Sequence, residues 1–239
     1  MLDWEIMRLQ KYLSQAWICS RRKAEEYIEK WLITVNWKKA EIWQKITVWS
    51  DKIKLKDKAI KEQKNLVYYK FNKPRWIVTT CASHDERNII DILDIKERVF
   101  PIWRLDKETT WLILLTNDWR LSNYLMHPRY EHQKEYMVEV YDFIDDSTLK
   151  KLENWLFILG SKTKKAKTKR LNAKKFLLTI SEWKNRQIRR MLEKVWHKVK
   201  KLKRIRIENI SLWNLKIWEY KSLTKFEKEE LFKKLKIQE

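Results

Sequence analysis

Arg104 and Asp106 are the charged pair in this sequence whose types and spacing are best suited to chemistry. An apolar segment that ends at Ile102 precedes the pair, and a second apolar run, residues 112–115, follows it. This pattern predicts a strand, a loop and a strand, so that rigid strands would aim a carboxylate on the loop. A carboxylate can act as a nucleophile that adds covalently and leaves again. The alternative is a solvated turn that carries an ion pair.

The tryptophan content bears on how this stretch is interpreted. The chain has 15 tryptophans and 1 glycine in 239 residues, whereas glycine averages roughly 7% of residues. Asn36-Trp37 and Asp118-Trp119 lie where Asn-Gly or Asp-Gly would form hairpins or begin helices, and glycine tolerates a positive φ that tryptophan does not. We therefore hypothesise that the natural gene reads the UGA codon as glycine and that tryptophan is a mistranslation of it. The alternative is a tryptophan-rich protein that stacks on nucleic acid bases.

With glycine at Trp103, Trp111 and Trp119, residues 103–119 become G-R-L-D-x-x-T-x-G-L-x-L-L-T-N-D-G. This stretch resembles the catalytic motif of the RsuA/RluB/RluF family of ribosomal RNA pseudouridine synthases. The resemblance implies that Asp106 is the nucleophile and that Arg104 helps to hold the flipped uridine. Tyr136 falls where the family carries an active-site tyrosine, which implies stacking on the base and assistance in proton transfer from C5. On pattern alone, Tyr136 is equally an ordinary aromatic of a strand.

A second stretch supports the same resemblance. Ile188, Met191, Leu192 and Val195 recur at helical spacing, which leaves Arg186, Arg189 and Arg190 off the apolar stripe and available for a phosphate or a carboxylate. With glycine at Trp183, residues 182–191 read E-G-K-N-R-Q-I-R-R-M and resemble the third motif of the family. The resemblance implies that Ile188 is buried and that Arg189 pairs with the nucleophilic Asp106.

Residues 1–60 are predicted to form a small N-terminal domain, with a charged linker before a second domain over residues 66–239. Apolar spacing predicts two short helices in residues 8–30, with Ser20 as the N-cap of the second. The segment resembles the RNA-binding domain first described in ribosomal protein S-four. That resemblance implies that Arg21, Arg22 and Lys23 contact RNA phosphates; without it, a solvated helix face is the simpler interpretation.

The charge of the chain indicates a polyanionic partner. The net charge is +22, from 54 Lys and Arg against 32 Asp and Glu, and nucleic acid is favoured over an anionic membrane surface. Residues 161–206 hold 19 Lys and Arg against 2 Asp and Glu, a local net charge of +17. We predict that RNA contacts this region, and the residues proposed for the contact are Lys162, Lys164, Lys165, Lys167, Arg186 and Arg190.

Several other function classes are disfavoured. No run approaches the ~18 apolar residues of a membrane span, and the first twenty residues lack the apolar region of a signal peptide, so we expect a cytoplasmic protein. Cys19 and Cys81 are isolated and are expected to be reduced thiols. The four histidines lack metal-like spacing. We expect no metal, no cofactor and a monomer.

Together these observations predict an α+β fold: an S-four-like domain, then a catalytic domain with a mixed, largely antiparallel sheet. Its last elements are predicted as a strand at residues 215–217 and a helix at residues 224–235. The resemblance implies a pseudouridine synthase acting on ribosomal RNA. Residues 158–165 and 185–187 most resemble the large-subunit branch of the family, which implies a large-subunit substrate. The alternatives are a non-catalytic rRNA-binding or assembly factor, and a phosphodiesterase, which would normally show metal-ligand carboxylates or a histidine pair.

Overall fold

The structure is a computed structural model that describes residues 6–16, 18–48, 50–60, 65–79, 89–103, 110–127 and 130–237, without the side chains of residues 90 and 91. The chain divides into two compact units, residues 1–66 and 67–239. Among the described helices, none is long and apolar enough to cross a membrane.

The first unit contains two helices and short strands around one apolar core. The helices are α1 (Leu9–Gln15) and α2 (Arg21–Glu29). The strands are β1 (Ile6–Arg8), β2 (Ile33–Val35), β3 (Lys38–Lys39), β4 (Lys45–Thr47), β5 (Ile53–Leu55) and β6 (Lys58–Ala59). As predicted, the Ser20 hydroxyl caps α2 by accepting a hydrogen bond from the Lys23 N–H at 3.2 Å. Leu9, Leu13 and Ile28 pack with Ile33 in the core, so the apolar faces of both helices are buried against the strands.

The second unit is built on a nine-stranded sheet with the order β13-β14-β10-β15-β9-β7-β17, in which β8 and β16 pair with β9 and β15. Its strands are β7 (Tyr68–Lys73), β8 (Phe100–Ile102), β9 (Thr110–Thr116), β10 (Lys134–Val140), β13 (Lys167–Asn172), β14 (Lys175–Ile180), β15 (Val199–Ile207), β16 (Ile210–Ser211) and β17 (Tyr220–Ser222), and β11 (Phe157–Ile158) and β12 (Ser161–Lys162) form a separate hairpin. Among the described strand pairs of this sheet, only β9 and β15 run parallel; the other described pairs are antiparallel. The prediction of a mixed, largely antiparallel sheet is confirmed.

Helices cover both faces of this sheet. They are α3 (Ile89–Ile92), α4 (Trp119–Met126), α5 (Asp146–Glu153), α6 (Gln187–Lys194) and α7 (Lys225–Leu235). The apolar stripe of α6 packs with alternate residues of β9, β10 and β14 in one core. α4 and α7 pack with the other residues of β9 and with β15 in a second core. β9 therefore lies between two apolar layers, which explains why its sequence is apolar throughout rather than alternating.

The strand predicted at residues 215–217 is wrong, because this segment forms turns and the last strand of the sheet is β17. Trp213 and Trp218, on either side of the segment, have φ of 42° and 75°, which is incompatible with extended backbone. The Leu215 carbonyl instead accepts a hydrogen bond from the Asn72 side chain at 2.8 Å.

Eight of the twelve described tryptophans have a positive φ. They are Trp31, Trp37, Trp43, Trp76, Trp103, Trp196, Trp213 and Trp218. Asn36 and Trp37, at φ of 49° and 65°, form the two-residue turn between β2 and β3, a geometry that usually takes Asn-Gly. A positive φ is uncommon for any residue with a side chain and is an outlier for a bulky one. The backbone therefore has glycine-like conformations at these positions, in line with the recoding hypothesis.

We expect Trp196→Gly and Trp213→Gly each to raise the free energy of unfolding by about 1 kcal/mol, because glycine removes the left-handed strain. The two side chains are 94% and 83% exposed, so little packing is lost. Trp155→Gly is the matched control, since Trp155 is exposed without a positive φ and should gain nothing. Urea denaturation measures all three, and an equal change in the control would contradict a backbone origin.

Mass spectrometry of the protein isolated from its natural source tests the recoding hypothesis directly. Peptides with glycine at these positions are expected, and peptides with tryptophan would refute the hypothesis. The hypothesis therefore defines two forms of the protein: the tryptophan form, which carries the present sequence, and the all-glycine form, in which all 15 tryptophans are replaced.

Candidate active site

Four buried side chains form a row across the centre of the large sheet. Lys73 of β7 lies opposite Trp111 of β9, Trp111 lies opposite Arg204 of β15, and Arg204 lies opposite Tyr136 of β10. None of the four is more than 1% exposed. Because residues opposite one another on paired strands point to the same face, the register brings two cations, a phenol and an indole together. Buried charges are rare in proteins unless they are paired or functional.

Arg204 holds the middle of this row. Its Nε and a terminal nitrogen donate hydrogen bonds of 2.9 and 2.7 Å to the Leu112 carbonyl. Burial lowers the pKa of Arg204, and its interaction with the Tyr136 hydroxyl opposes this effect. Its guanidinium carbon also lies 5.3 Å from the ring centres of both Trp103 and Trp111, within cation–π range. Arg204 thus joins β15, β9 and the tyrosine of β10.

Lys134, two residues before Tyr136, adds another buried cation. Its ammonium donates to the His132 carbonyl at 2.9 Å and lies 5.1 Å from the Trp103 ring. Burial lowers the pKa of Lys134 to about 8; the positive charge of Arg204 lowers it as well, while Glu208 and Glu182 oppose the shift. Lys134 is therefore partly neutral near physiological pH.

The stability of the fold should depend on the titration of Lys134. Its pKa is about 8 when folded against 10.5 in its ordinary state, so between these values the unfolded chain binds more protons and stability rises with pH. Lys134→Met removes the ammonium, so the free energy of unfolding of this variant lacks the pH dependence that Lys134 causes. The variant is expected to be more stable than the parent below pH 8, by about 3 kcal/mol, and the gain should vanish above pH 10.5. Urea unfolding at pH 7 and pH 10.5 measures this, and a gain that does not change with pH would contradict it.

The loop that precedes α6 is held by two side chains. The Gln187 side-chain amide donates to Glu182 at 2.8 Å, and its oxygen accepts the Lys184 N–H at 2.9 Å. Ile188 is buried as predicted and packs in the same core as Tyr136. Arg189 is half-buried on this helix. The structure therefore attaches the helix of Arg189 to the core that contains Tyr136.

Arg104 and Asp106 lie outside the described residues, and so does Cys81. The described residues on either side of segment 104–109 lie beside the buried row of Lys73, Trp111, Arg204 and Tyr136. Trp103 contacts Lys134 and Arg204, and Thr110 is the residue before Trp111 in β9. The segment that contains Asp106 is thus flanked by one residue that contacts Arg204 of the row and by one that precedes Trp111 of the row.

The residues predicted to bind RNA are on the surface of both units. Arg21, Arg22 and Lys23 are exposed in the first turn of α2, where Lys23 also pairs with Glu26 at 2.6 Å. In the second unit the exposed residues of this group are Lys162, Lys164, Lys165, Lys167 and Arg186, and Arg190 is half-buried. Lys162 lies 3.9 Å from the Trp155 ring, and Lys164 pairs with Glu131.

Three buried cations, Lys73, Lys134 and Arg204, were not predicted from the sequence as site residues, although Lys134 carries a signal there. Lys134 begins a strand whose buried face continues through Tyr136, Val138 and Val140, so an alternating pattern already puts a lysine inside. Arg204 gives no comparable signal, because cations surround it in the sequence and only its register with Trp111 shows that it is buried.

Comparisons with known proteins agree with this arrangement. Residues 67–194 match the RNA pseudouridylate synthase family, and residues 7–43 match the S4 domain family. The dual-specificity RNA pseudouridine synthase RluF of Escherichia coli K12 is 40% identical over 235 residues, covering 98% of this chain and 81% of the relative. The ribosomal large subunit pseudouridine synthase B of Bacillus subtilis is 38% identical, covering 92% and 93%.

A solved structure agrees as well. The crystal structure of a pseudouridylate synthase superposes with a TM-score of 0.69 at 27% identity, covering 94% of this chain and 99% of that one. Family match, relatives and fold are consistent over almost the whole sequence. The chain belongs to the RNA pseudouridine synthase family, in the group that carries an N-terminal S4 domain.

Proposed function

We propose that this protein converts a uridine of ribosomal RNA to pseudouridine and that the uridine lies in the large subunit. The observation that supports this most directly is the buried row of Lys73, Trp111, Arg204 and Tyr136, which segment 104–109 joins at both ends. Two of the relatives are named for RNA pseudouridine synthesis, one of them on the large ribosomal subunit.

The reaction explains the residue types in the proposed site. The bond between ribose C1′ and N1 of uracil breaks, the base turns, C1′ bonds to C5, N1 gains a proton and C5 loses one. Asp106 is the proposed nucleophile, because a carboxylate can form a covalent bond and leave again; attack on the ribose and attack on the base both fit this role. The atoms balance without an oxidant or reductant, so the reaction needs no redox cofactor, and we further propose that no metal takes part.

The neighbouring residues have separate proposed roles. Arg104 holds the flipped uridine, whose removal from the stack costs a few kcal/mol. Tyr136 stacks on the base and assists the transfer of the C5 proton. Arg189 keeps Asp106 ionised, since a nearby cation lowers a carboxylate pKa. The burial of Tyr136 in the core that also contains the face of α6 supports a common site for the last two.

The surface charges support RNA as the partner. Exposed cations lie in the first turn of α2 and along residues 162–167, and the phosphates of RNA are the anions such surfaces bind. We further propose that the protein acts as a monomer in the cytoplasm, where ribosomal RNA would be its substrate.

Release of tritium from RNA labelled at C5 tests this function, because only isomerisation of a uridine removes that hydrogen in the proposed reaction. Large-subunit and small-subunit RNA are offered separately to the tryptophan form and to the all-glycine form. We expect release from the large-subunit RNA by at least one form. Binding without release from either RNA would instead support the assembly-factor alternative, and release from small-subunit RNA alone would overturn the substrate.

Deleting residues 1–60 is expected to leave the second unit folded, because the described part of the first unit has its own core. Activity on rRNA should fall mainly through a higher KM, since the lost residues contribute phosphate contacts rather than chemistry. Circular dichroism and the separate values of kcat and KM measure this. An insoluble truncated protein would show that the boundary is wrong, and a loss confined to kcat would show that the first unit takes part in catalysis.

A further inference from the structure

A column of aromatic rings leads from the surface to Tyr136. Trp183 is 38% exposed, and its ring centre lies 6.4 Å from that of Trp111. The Trp111 ring lies 5.3 Å from the Tyr136 ring, edge to face. Tyr136 has no exposed surface, so an RNA base has no access to its ring while these side chains keep their places.

Trp111 is poorly accommodated at this position. Its indole Nε1–H is buried and has no acceptor among the described residues, whereas a buried tryptophan usually finds a partner for this group. The guanidinium of Arg204 and the phenol of Tyr136 are close to the same ring. The indole thus fills a space that has a guanidinium and a phenol on its wall, and its own buried donor has no acceptor among the described residues.

The same space suits a pyrimidine. A uracil ring is smaller than an indole, offers faces for stacking and carries carbonyl oxygens that a guanidinium can bind. Cavities of about 150 Å³ left by removed side chains do bind a six-membered ring such as benzene. Removal of the two indoles would open a route from solvent to the Tyr136 ring.

We propose that the Trp111 side chain occupies the binding position of the flipped uracil and that the Trp183 side chain closes the opening that leads to it. Residues 111 and 183 must therefore be small for the substrate to reach Tyr136. This inference rests on the proposed function and adds the place of the base. It also gives a functional meaning to glycine at two positions, neither of which has a positive φ to explain it.

The test compares the tryptophan form with its Trp111→Gly/Trp183→Gly variant. Trp196→Gly/Trp213→Gly is the matched control, because it also replaces two tryptophans but leaves the column intact. Tetranitromethane nitrates accessible tyrosines, and peptide mapping reports Tyr136 separately. We expect nitration of Tyr136 only in the column variant, protection of it by a uridine-containing RNA, and a rise of roughly 10²-fold in kcat/KM for tritium release.

The outcomes separate this inference from the proposed function. If the tryptophan form is as active as the column variant, the inference is overturned while the function stands. If no form releases tritium, the proposed function is contradicted, and the nitration result alone tests the inference. In that case an unreactive Tyr136 in a folded column variant overturns the inference. Should the glycine variant not fold, Trp111→Ala/Trp183→Ala retains the β-carbons and takes its place in the same assays.

Discussion

Asp106→Asn should reduce the turnover number for tritium release by about 10⁴-fold, the size of loss seen when a covalent nucleophile is removed. Asparagine keeps the size of the side chain but loses the charge and the attacking oxygen. RNA affinity should stay within a factor of two or so, because many phosphate contacts carry it. The variant is made in whichever form, tryptophan or all-glycine, turns over faster, so that a covered site does not hide the effect.

Asp142→Asn is the matched control for this experiment, since Asp142 is an exposed carboxylate of the same unit. It should retain full turnover. Normal pseudouridine formation by Asp106→Asn would show that residues 104–109 do not supply the nucleophile of the active site. A loss of RNA binding equal to the loss of turnover would instead indicate that Asp106 shapes the RNA site.

Much of the fold could be predicted from local sequence. Period-2 alternation placed β10, and the stripe of Ile188, Met191 and Leu192 placed α6. The cap at Ser20 was predicted because it depends on residues within one turn of helix. The false strand at residues 215–217 has the opposite cause: its apolar residues suit a strand, but the two positive φ values beside it do not.

The buried row could not be predicted, because sheet register depends on residues far apart in the chain. Arg204 donates hydrogen bonds to the carbonyl of Leu112, and the parallel neighbours β9 and β15 are separated in the sequence by strands β10 to β14. Local pattern does not determine such pairing. Tyr136 and Arg189 were selected by resemblance to a family, and their roles in catalysis stay predictions. The structure adds that Tyr136 is fully buried and in contact with Arg204.

Tyr136→Phe is expected to lower kcat by about 10³-fold with little change in KM. The phenylalanine keeps the ring that would stack on the base, whereas the hydroxyl that would assist C5 proton transfer is lost, and such assistance is worth about 10²–10⁴ in rate. Tyr136→Leu removes the ring as well, so it should also raise KM, since stacking of one base contributes about 1–3 kcal/mol. Tyr141→Phe is the control, because Tyr141 is exposed just beyond the same strand.

A structural role of the hydroxyl must be separated from a catalytic one, because the hydroxyl also interacts with Arg204. Loss of that contact should lower the free energy of unfolding by about 1–3 kcal/mol, which urea denaturation measures apart from turnover. A purely structural hydroxyl would affect stability and leave the pH profile of kcat unchanged. A hydroxyl that moves the proton should remove one limb of that profile in Tyr136→Phe, since the group that titrates is gone. If kcat and its pH profile both survive in Tyr136→Phe, proton transfer from C5 must be assigned to another group, and Lys134, two residues away with a pKa of about 8, is the next candidate to replace.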